Sequence, residues 1–410
     1  MQLFYNAFTM ISNEQRNRVD LGRANRRAVL AQIVLRGPRS RTEIAAATDL
    51  TTASVSRITR ELIESGLVVE LPNAEQDNTP RSPGRRFIRL DINSRGGYVL
   101  GIGVNVFHQS VTLADLKNRR IARQDLNLSD LSDPDVVIRE LADAAKRMID
   151  TYVDDRRRLL GASFAITGAV DPKERIVKSS PYLGWGEVAL GQRLTSELGI
   201  PVHIENHPNS LALAESWFGV AKGQKHLLTL NCSLGIGASL LLDGQLIRGK
   251  NFSAGLIGGI TAPEKGALSL DMCAGGQGIL SRVNGDWREV RKIPAENAAR
   301  QLLDTIERSR GGDATAHQIL TETGYSLGRT ISQFIGLIRP DAVMIAGPLA
   351  RAPAYVAACR AGLNDYVADM EVEFLVSEMS VQSAARWLAI GEHLFEQDIN
   401  LKNLKLANAA

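Results

Sequence analysis

Three cysteines in 410 residues, Cys232, Cys273 and Cys359, are too few and too far apart for a disulfide framework or a Cys-rich zinc site. No apolar run reaches the about 18 residues that span a bilayer, and the first thirty residues lack the apolar core of a secretion signal. Lysine is missing altogether from residues 1–90, which hold 14 arginines against nine acidic residues. The remaining 320 residues hold 34 basic and 36 acidic side chains, so the net positive charge is concentrated at the N-terminal end. Hydrophobic residues at 44% and charged residues at 23% are ordinary for globular chains, which excludes disorder, collagen and a simple coiled coil. These figures lead to the expectation of a soluble, cytoplasmic protein of two or three domains with no membrane association. A positive head on a neutral body is the charge pattern of a nucleic-acid reader, although an Arg-rich solvated domain gives the same balance.

Residues 1–20 show weak periodicity and read as an N-terminal arm. Over 23–35, Ala24, Ala28, Val29, Ile33 and Val34 recur at helical spacing until Gly37-Pro38 stops the run. A short helix is expected over 42–48, begun near Ser40 or Arg41, and a third from Thr51 or Thr52 to about residue 65. In the third, Val55, Ile58, Leu62 and Ile63 mark the inner face, and Gly66 ends it. Two short helices joined by a tight turn make a helix-turn-helix whose second helix reads the major groove. Its outer face offers Thr52, Ser54, Ser56, Arg57 and Arg60, hydroxyls for close phosphate approach and guanidinium forks for guanine, with Arg41 nearby. Strands over 67–71 and 87–91 flank a loop whose tip, residues 80–86, carries Arg81, Arg85 and Arg86 on a Gly/Pro frame. Such a wing fits a narrow minor groove. A winged helix-turn-helix is therefore expected over 21–92.

From Gly97 the pattern changes to alternating strands and helices, an α/β body over 93–410 made of two similar lobes with its ligand site between them. Strands are expected at 98–106, 110–115, 121–126, 160–165, 202–205, 227–231, 238–242, 245–248, 342–346 and 372–376. Helices are expected at 134–155, 187–198, 209–220, 294–309, 313–337, 353–368 and 383–396.

Several stretches resemble the ROK family (repressors, open reading frames and kinases), in particular its repressor branch. They are Ala53-Ser54-Val55-Ser56-Arg57 and Gly84-Arg85 in the head, and residues 161–171, Glu205-Asn206-His207-Pro208-Asn209, Ser233-Leu234-Gly235-Ile236-Gly237 and residues 340–348 in the body. The resemblance implies an N-terminal winged helix-turn-helix followed by the two-lobed actin/hexokinase-like ATPase fold, assembled as homodimers or homotetramers.

It also exposes what has changed. The family's first phosphate cradle, Asp-x-Gly-Gly-Thr, reads Gly103-Val104-Asn105-Val106-Phe107 here, without the carboxylate or the paired glycines. The aspartate base of the family's Glu-Asn-Asp-Ala-Asn stretch is His207; an imidazole can accept a proton, but His207-Pro208 also reads as a helix start. The His of the zinc site is Gly259 and a single cysteine, Cys273, remains, so no metal and no cofactor are expected. Sugar-binding Glu and His of a Glu-x-Gly-His motif are Leu256 and Gly259, which points to a modified or less polar ligand, or none. Thr167, Glu205, Asn206, His207 and Asn209 are the polar effector-site candidates, with Trp185 as either a stacking wall or a core residue. The expected function is a DNA-binding regulator, a repressor of carbohydrate genes, that binds a double-stranded operator and a sugar-like effector and is not an enzyme. The alternatives are a sugar kinase with a fused head and a regulator controlled by a partner protein.

Overall fold

The computed structural model describes residues 18–71, 88–261, 268–285, 290, 293–367, 371–395 and 401–404. The first element is helix α1 (Arg18–Arg36), which starts inside the stretch expected to be an arm. A short strand β1 (Arg39–Ser40) leads into α2 (Arg41–Thr48) and, after Asp49 in the left-handed region, α3 (Thr52–Glu64). Strands β2 (Val68–Glu70) and β3 (Arg89–Ile92) complete a three-stranded sheet in the order β1-β3-β2.

The sequence dictates both helix starts. Ser40 and Glu43 form a reciprocal capping box on α2, and the Thr51 side chain accepts from Ser54 N at the start of α3. Removing the Ser40 hydroxyl leaves the Glu43 amide without its partner. Ser40→Ala is expected to lower stability of this unit by about 1 kcal/mol, read as a lower melting temperature, with Ser40→Thr, which keeps the hydroxyl that bonds Glu43, closer to the wild type.

The first lobe is a five-stranded sheet in the order β10-β7-β4-β5-β6. Its strands are β4 (Tyr98–Val104), β5 (Gln109–Asp115), β6 (Arg120–Leu126), β7 (Leu159–Ile166) and β10 (Val202–Asn206), with helix α4 (Pro134–Tyr152) after β6. A hairpin of β8 (Ala169–Asp171) and β9 (Ile176–Ser179) follows β7, and α5 (Leu190–Leu198) precedes β10. Helix α6 (His207–Phe218) leaves β10 directly and packs on the second lobe.

That lobe repeats the plan in the order β13-β12-β11-β14-β15, with β11 (Leu227–Cys232), β12 (Ile236–Leu242), β13 (Gln245–Leu246), β14 (Ala342–Ala346) and β15 (Glu373–Val376). Its helices are α7 (Leu270–Ala274), α8 (Gly276–Asn284), α9 (Ala295–Arg310), α10 (Ala314–Ile338) and α11 (Pro353–Val367). Helix α12 (Val381–Phe395) then returns to lie across β4 and β7 of the first lobe and against α6, followed by α13 (Leu401–Leu404). Among the described residues no helix is long and apolar enough to cross a membrane.

Two glycines on β4 make the return of α12 possible: a Cβ at Gly101 would lie 2.8 Å from Arg386 N, and one at Gly103 2.8 Å from Gln382 Cγ. The head shares its core with this junction. Leu30, Ile33, Ile58 and Leu62 form one apolar cluster with Val99 and Leu116 of the first lobe and with Ile390 and Leu394 of α12. Polar ties reinforce it. Asn93 Nδ2 donates to Gly66 O at 2.7 Å, Arg158 donates to Arg95 O at 2.8 Å, and Lys222 Nζ donates to Leu35 O. The Arg27 guanidinium of α1, lowered by burial to about 10, faces the charge of Glu392 on α12. A shared apolar core makes the head move with α12 rather than swing on a loose tether.

Candidate DNA-reading face and interlobe cleft

Helix α3 buries Val55, Ile58 and Leu62 and leaves Thr52, Arg57 and Arg60 exposed, with Ser54 and Ser56 half-buried. The Arg57 side chain is 61% exposed and pairs with Glu61 at 2.8 Å, one turn on, while Arg26 of α1 reaches the other Glu61 oxygen at 3.3 Å. A surface pair of this kind holds weakly, so Arg57 can leave it for a phosphate or a base edge. Arg41 is placed differently. Its Nε donates to Thr59 Oγ1 at 3.1 Å and its terminal nitrogen to Glu70 at 2.7 Å, which makes it a brace between α2, α3 and β2. Arg81, Arg85 and Arg86 lie outside the described residues.

Between the lobes lies a cleft of about 530 Å³. Of the candidates read from the sequence, Thr167, Asn206 and His207 line it. Thr167 stands at a turn that only glycine can follow: Gly168 has φ +111°, and a Cβ there would lie 2.1 Å from Ser179 O. Asn206 caps α6, its Oδ1 accepting from Asn209 N at 2.9 Å.

His207 is buried at the first position of α6. Its Nε2 donates to the Val104 carbonyl at 3.1 Å, the Ala165 carbonyl lies nearby, and burial pushes the imidazole down to about 4. The ring therefore ties α6 to strands β4 and β7, and it is neutral at physiological pH.

Three candidates stand away from the cleft. Glu205 is fully buried behind it, accepting from Asn206 N at 2.8 Å and Asn209 Nδ2 at 3.0 Å and pairing with Arg248 at 2.7 Å. Asn209 is buried in the same network. Trp185 is a core residue of the first lobe, not a wall, because its Nε1 donates to Leu131 O at 2.9 Å and its ring joins the lobe's apolar cluster.

The first loop of the cleft, at 105–108, is closed on itself: Asn105 Oδ1 accepts from Phe107 N and from His108 N, both at 2.8 Å. Phe107 lines the cleft and packs on the second lobe's core. In the second loop, Ile236 N donates to Asp271 Oδ1 at 2.6 Å.

Asp271, Tyr182 and Gln277 carry no sequence signal that singles them out, yet they form a connected group in the cleft. Tyr182 reaches from the first lobe and donates to Asp271 Oδ2 at 3.2 Å, while Gln277 Nε2 donates to the Tyr182 oxygen at 3.0 Å. Burial raises the Asp271 carboxyl and the Tyr182 phenol above their ordinary ranges. The nearest to a signal is Asp271 itself, the one carboxylate in the segment 268–279, which reads first as a place of missing cysteines.

Leu256, Gly258 and Gly259 also line the cleft. Where the resemblance would seat zinc, Gly259 offers no donor and Cys273 is buried with its sulfur 3.9 Å from Leu268 O, so the residues present do not fit that ion.

The family model for ROK proteins matches residues 99–397. The chain belongs to the ROK family. A model of the IclR helix-turn-helix domain matches residues 29–72, which spans α2 and α3. Among curated ROK relatives, the DNA-binding transcriptional dual regulator NagC of Escherichia coli is 27% identical over 337 residues, 80% of this chain and 81% of that protein. The xylose repressor of Bacillus subtilis is 24% identical, covering 79% and 82%. A solved ROK family transcriptional regulator, described as a homologue of the E. coli MLC protein, superposes with a TM-score of 0.75 at 22% identity over 94% of this chain and 99% of that one. A ROK glucokinase of Streptomyces griseus, solved with glucose and AMPPNP, superposes at 0.59 and 17% identity, covering 72% of this chain and 98% of its own. Both superpositions establish the actin/hexokinase-like fold of the ROK body, and the first, with the helix-turn-helix match over 29–72, adds the head.

Proposed function

We propose that this ROK protein is a DNA-binding transcriptional regulator, a repressor of carbohydrate uptake and catabolism genes, whose body senses a small molecule and does not act as a kinase. The observation that carries the reading is α3: its apolar side is locked into the head core while Thr52, Arg57 and Arg60 face solvent. That is the presentation a major-groove reader requires. Repressors among its relatives support the same reading. One head contacts too few base pairs for genomic specificity, so a homodimer, alone or paired into a homotetramer, places two heads on a palindromic operator.

Phosphoryl transfer needs backbone amides free to hold phosphate and a base free to take a proton. Here the amides of Phe107 and His108 bond Asn105, and the His207 ring is buried with its Nε2 on the Val104 carbonyl. The same residues that would serve catalysis instead fix the geometry of the cleft floor.

Helix α6 links that floor to the head. It begins at His207 in the cleft and ends at Phe218, whose ring stacks on Trp387 of α12 at 4.0 Å between centroids, and α12 packs on α1. A ligand that shifts the lobes thereby shifts the head spacing and lowers operator affinity. Trp387→Leu, which removes the stack, is expected to shrink the ligand-induced loss of operator affinity to under threefold while calorimetry still detects the ligand. An undiminished response would show that the signal travels elsewhere.

Footprinting of the intergenic DNA beside its own gene, with and without a panel of sugars, tests the whole reading. A protected palindrome released by one sugar class is the expected result. Absence of any specific site, or ATP-dependent phosphorylation of a hexose, would overturn it.

A further inference from the structure

We infer that the interlobe cleft takes an uncharged carbohydrate derivative bearing an apolar substituent and rejects phosphorylated sugars. This deepens the regulator reading and rests on it.

Charge comes first. Among the described residues that line the cleft, Asp271 is the one carboxylate, and neither lysine nor arginine is present. His207 is neutral at any physiological pH and supplies no compensating charge. A phosphate dianion placed here would lose its water and meet no cation, an arrangement proteins avoid.

Backbone amides can replace a cation at a helix start or a tight loop, but five of those at the helix start and in the two loops are engaged. At the start of α6, Pro208 has no N–H and Asn209 N is held by Asn206 Oδ1. In the two loops, Phe107 N and His108 N bond Asn105, Ser233 N bonds Gly235 O, and Ile236 N bonds the Asp271 carboxylate. An anion seated on these amides would have to break those bonds.

What remains is divided by polarity. The first lobe presents the Thr167 hydroxyl and the Asn206 amide, suited to sugar hydroxyls. The second presents Ile236, Ala238, Ala254 and Leu256, and Leu256 is 53% exposed. Apolar surface left in water at a cleft wall is what an apolar ligand group covers with gain. The hydroxyls of the ligand therefore turn to Thr167 and Asn206, and its aryl, alkyl or acyl substituent to Leu256.

The test is calorimetry on the full-length protein with phenyl β-glycosides of glucose, galactose and xylose, N-acetylglucosamine, the parent sugars, and the 6-phosphates of glucose and N-acetylglucosamine. At least one substituted neutral sugar should bind ten or more times tighter than either 6-phosphate. Leu256→Glu should weaken that binding at least tenfold, whereas Leu256→Met keeps it within threefold. Preferential binding of a 6-phosphate, no binding by any member of the panel, or indifference to Leu256→Glu overturns the inference. Footprinting separates the two failures: a specific operator with no such ligand sinks only this inference, whereas a bound glycoside with no operator sinks the regulator reading.

Discussion

Replacing both Arg57 and Arg60 with alanine lowers operator affinity by about a hundredfold or more while leaving the melting temperature within a degree or two. Each exposed arginine of a reading helix that forks onto a base or clamps a phosphate is worth roughly 1–3 kcal/mol, about tenfold to more than a hundredfold. Neither side chain contributes to the head core, and the Arg57–Glu61 pair is a surface ion pair of small value to folding. Arg41→Ala provides the contrast. It breaks bonds to Thr59 and Glu70, so it is expected to lower the melting temperature and leave the salt dependence of operator binding intact. Were Arg41 a phosphate contact, its loss would reduce the log–log salt slope by about one. Gel-shift titrations at several salt concentrations, with melting curves on the same samples, separate the two roles. Undiminished operator binding by the double variant would remove α3 as the reader.

The difference between Arg41 and Arg57 marks the limit of what the sequence could tell. Both arginines belong to the same positive stretch, and local periodicity places each near a helix surface. Only the packing of β2 and α2 on α3 brings Glu70 to Arg41, and that contact spans 29 residues. Elements with strong local signals were read closely. Strand β14 is an unbroken apolar run buried on both faces, and its bounds match the expected 342–346. Helix α5 starts at Leu190 rather than 187 because Val188 is still bridged to Val177. The β8–β9 hairpin and the α7–α8 pair, broken at Gly275, carry too short a period to be seen.

In the cleft, the glycine loops and the Asn206-His207 start of α6 were legible because they depend on local chain geometry. The roles of Trp185 and Glu205 were not, since each is decided by a distant partner, Leu131 O and Arg248. The union of head and body was invisible for the same reason. Ile33 of α1 and Ile390 of α12 share one core across 357 positions of chain, and no pattern within either helix announces the other.

His207 yields the sharpest dependence on pH. Unfolded, its imidazole takes a proton near pH 6.5, whereas folded it resists until about pH 4 because burial disfavours the charged ring. Between those values the unfolded chain binds more protons, so stability falls as the pH falls. From pH 7.5 to 5 this single group removes about 2 kcal/mol, and the loss continues until the folded ring also titrates. His207→Asn keeps a donor for the strand carbonyls but cannot be protonated, so its unfolding curves in urea should show that much less acid sensitivity than the wild type. The comparison between the two proteins cancels the other titrating groups, Asp271 among them, whose raised carboxyl acts in the opposite direction. Equal acid sensitivity in both would mean that His207 is solvated and chargeable, free to take a proton from a hydroxyl. That outcome would return the kinase reading to contention, because the cost of burying a protonated ring is what makes His207 a poor base.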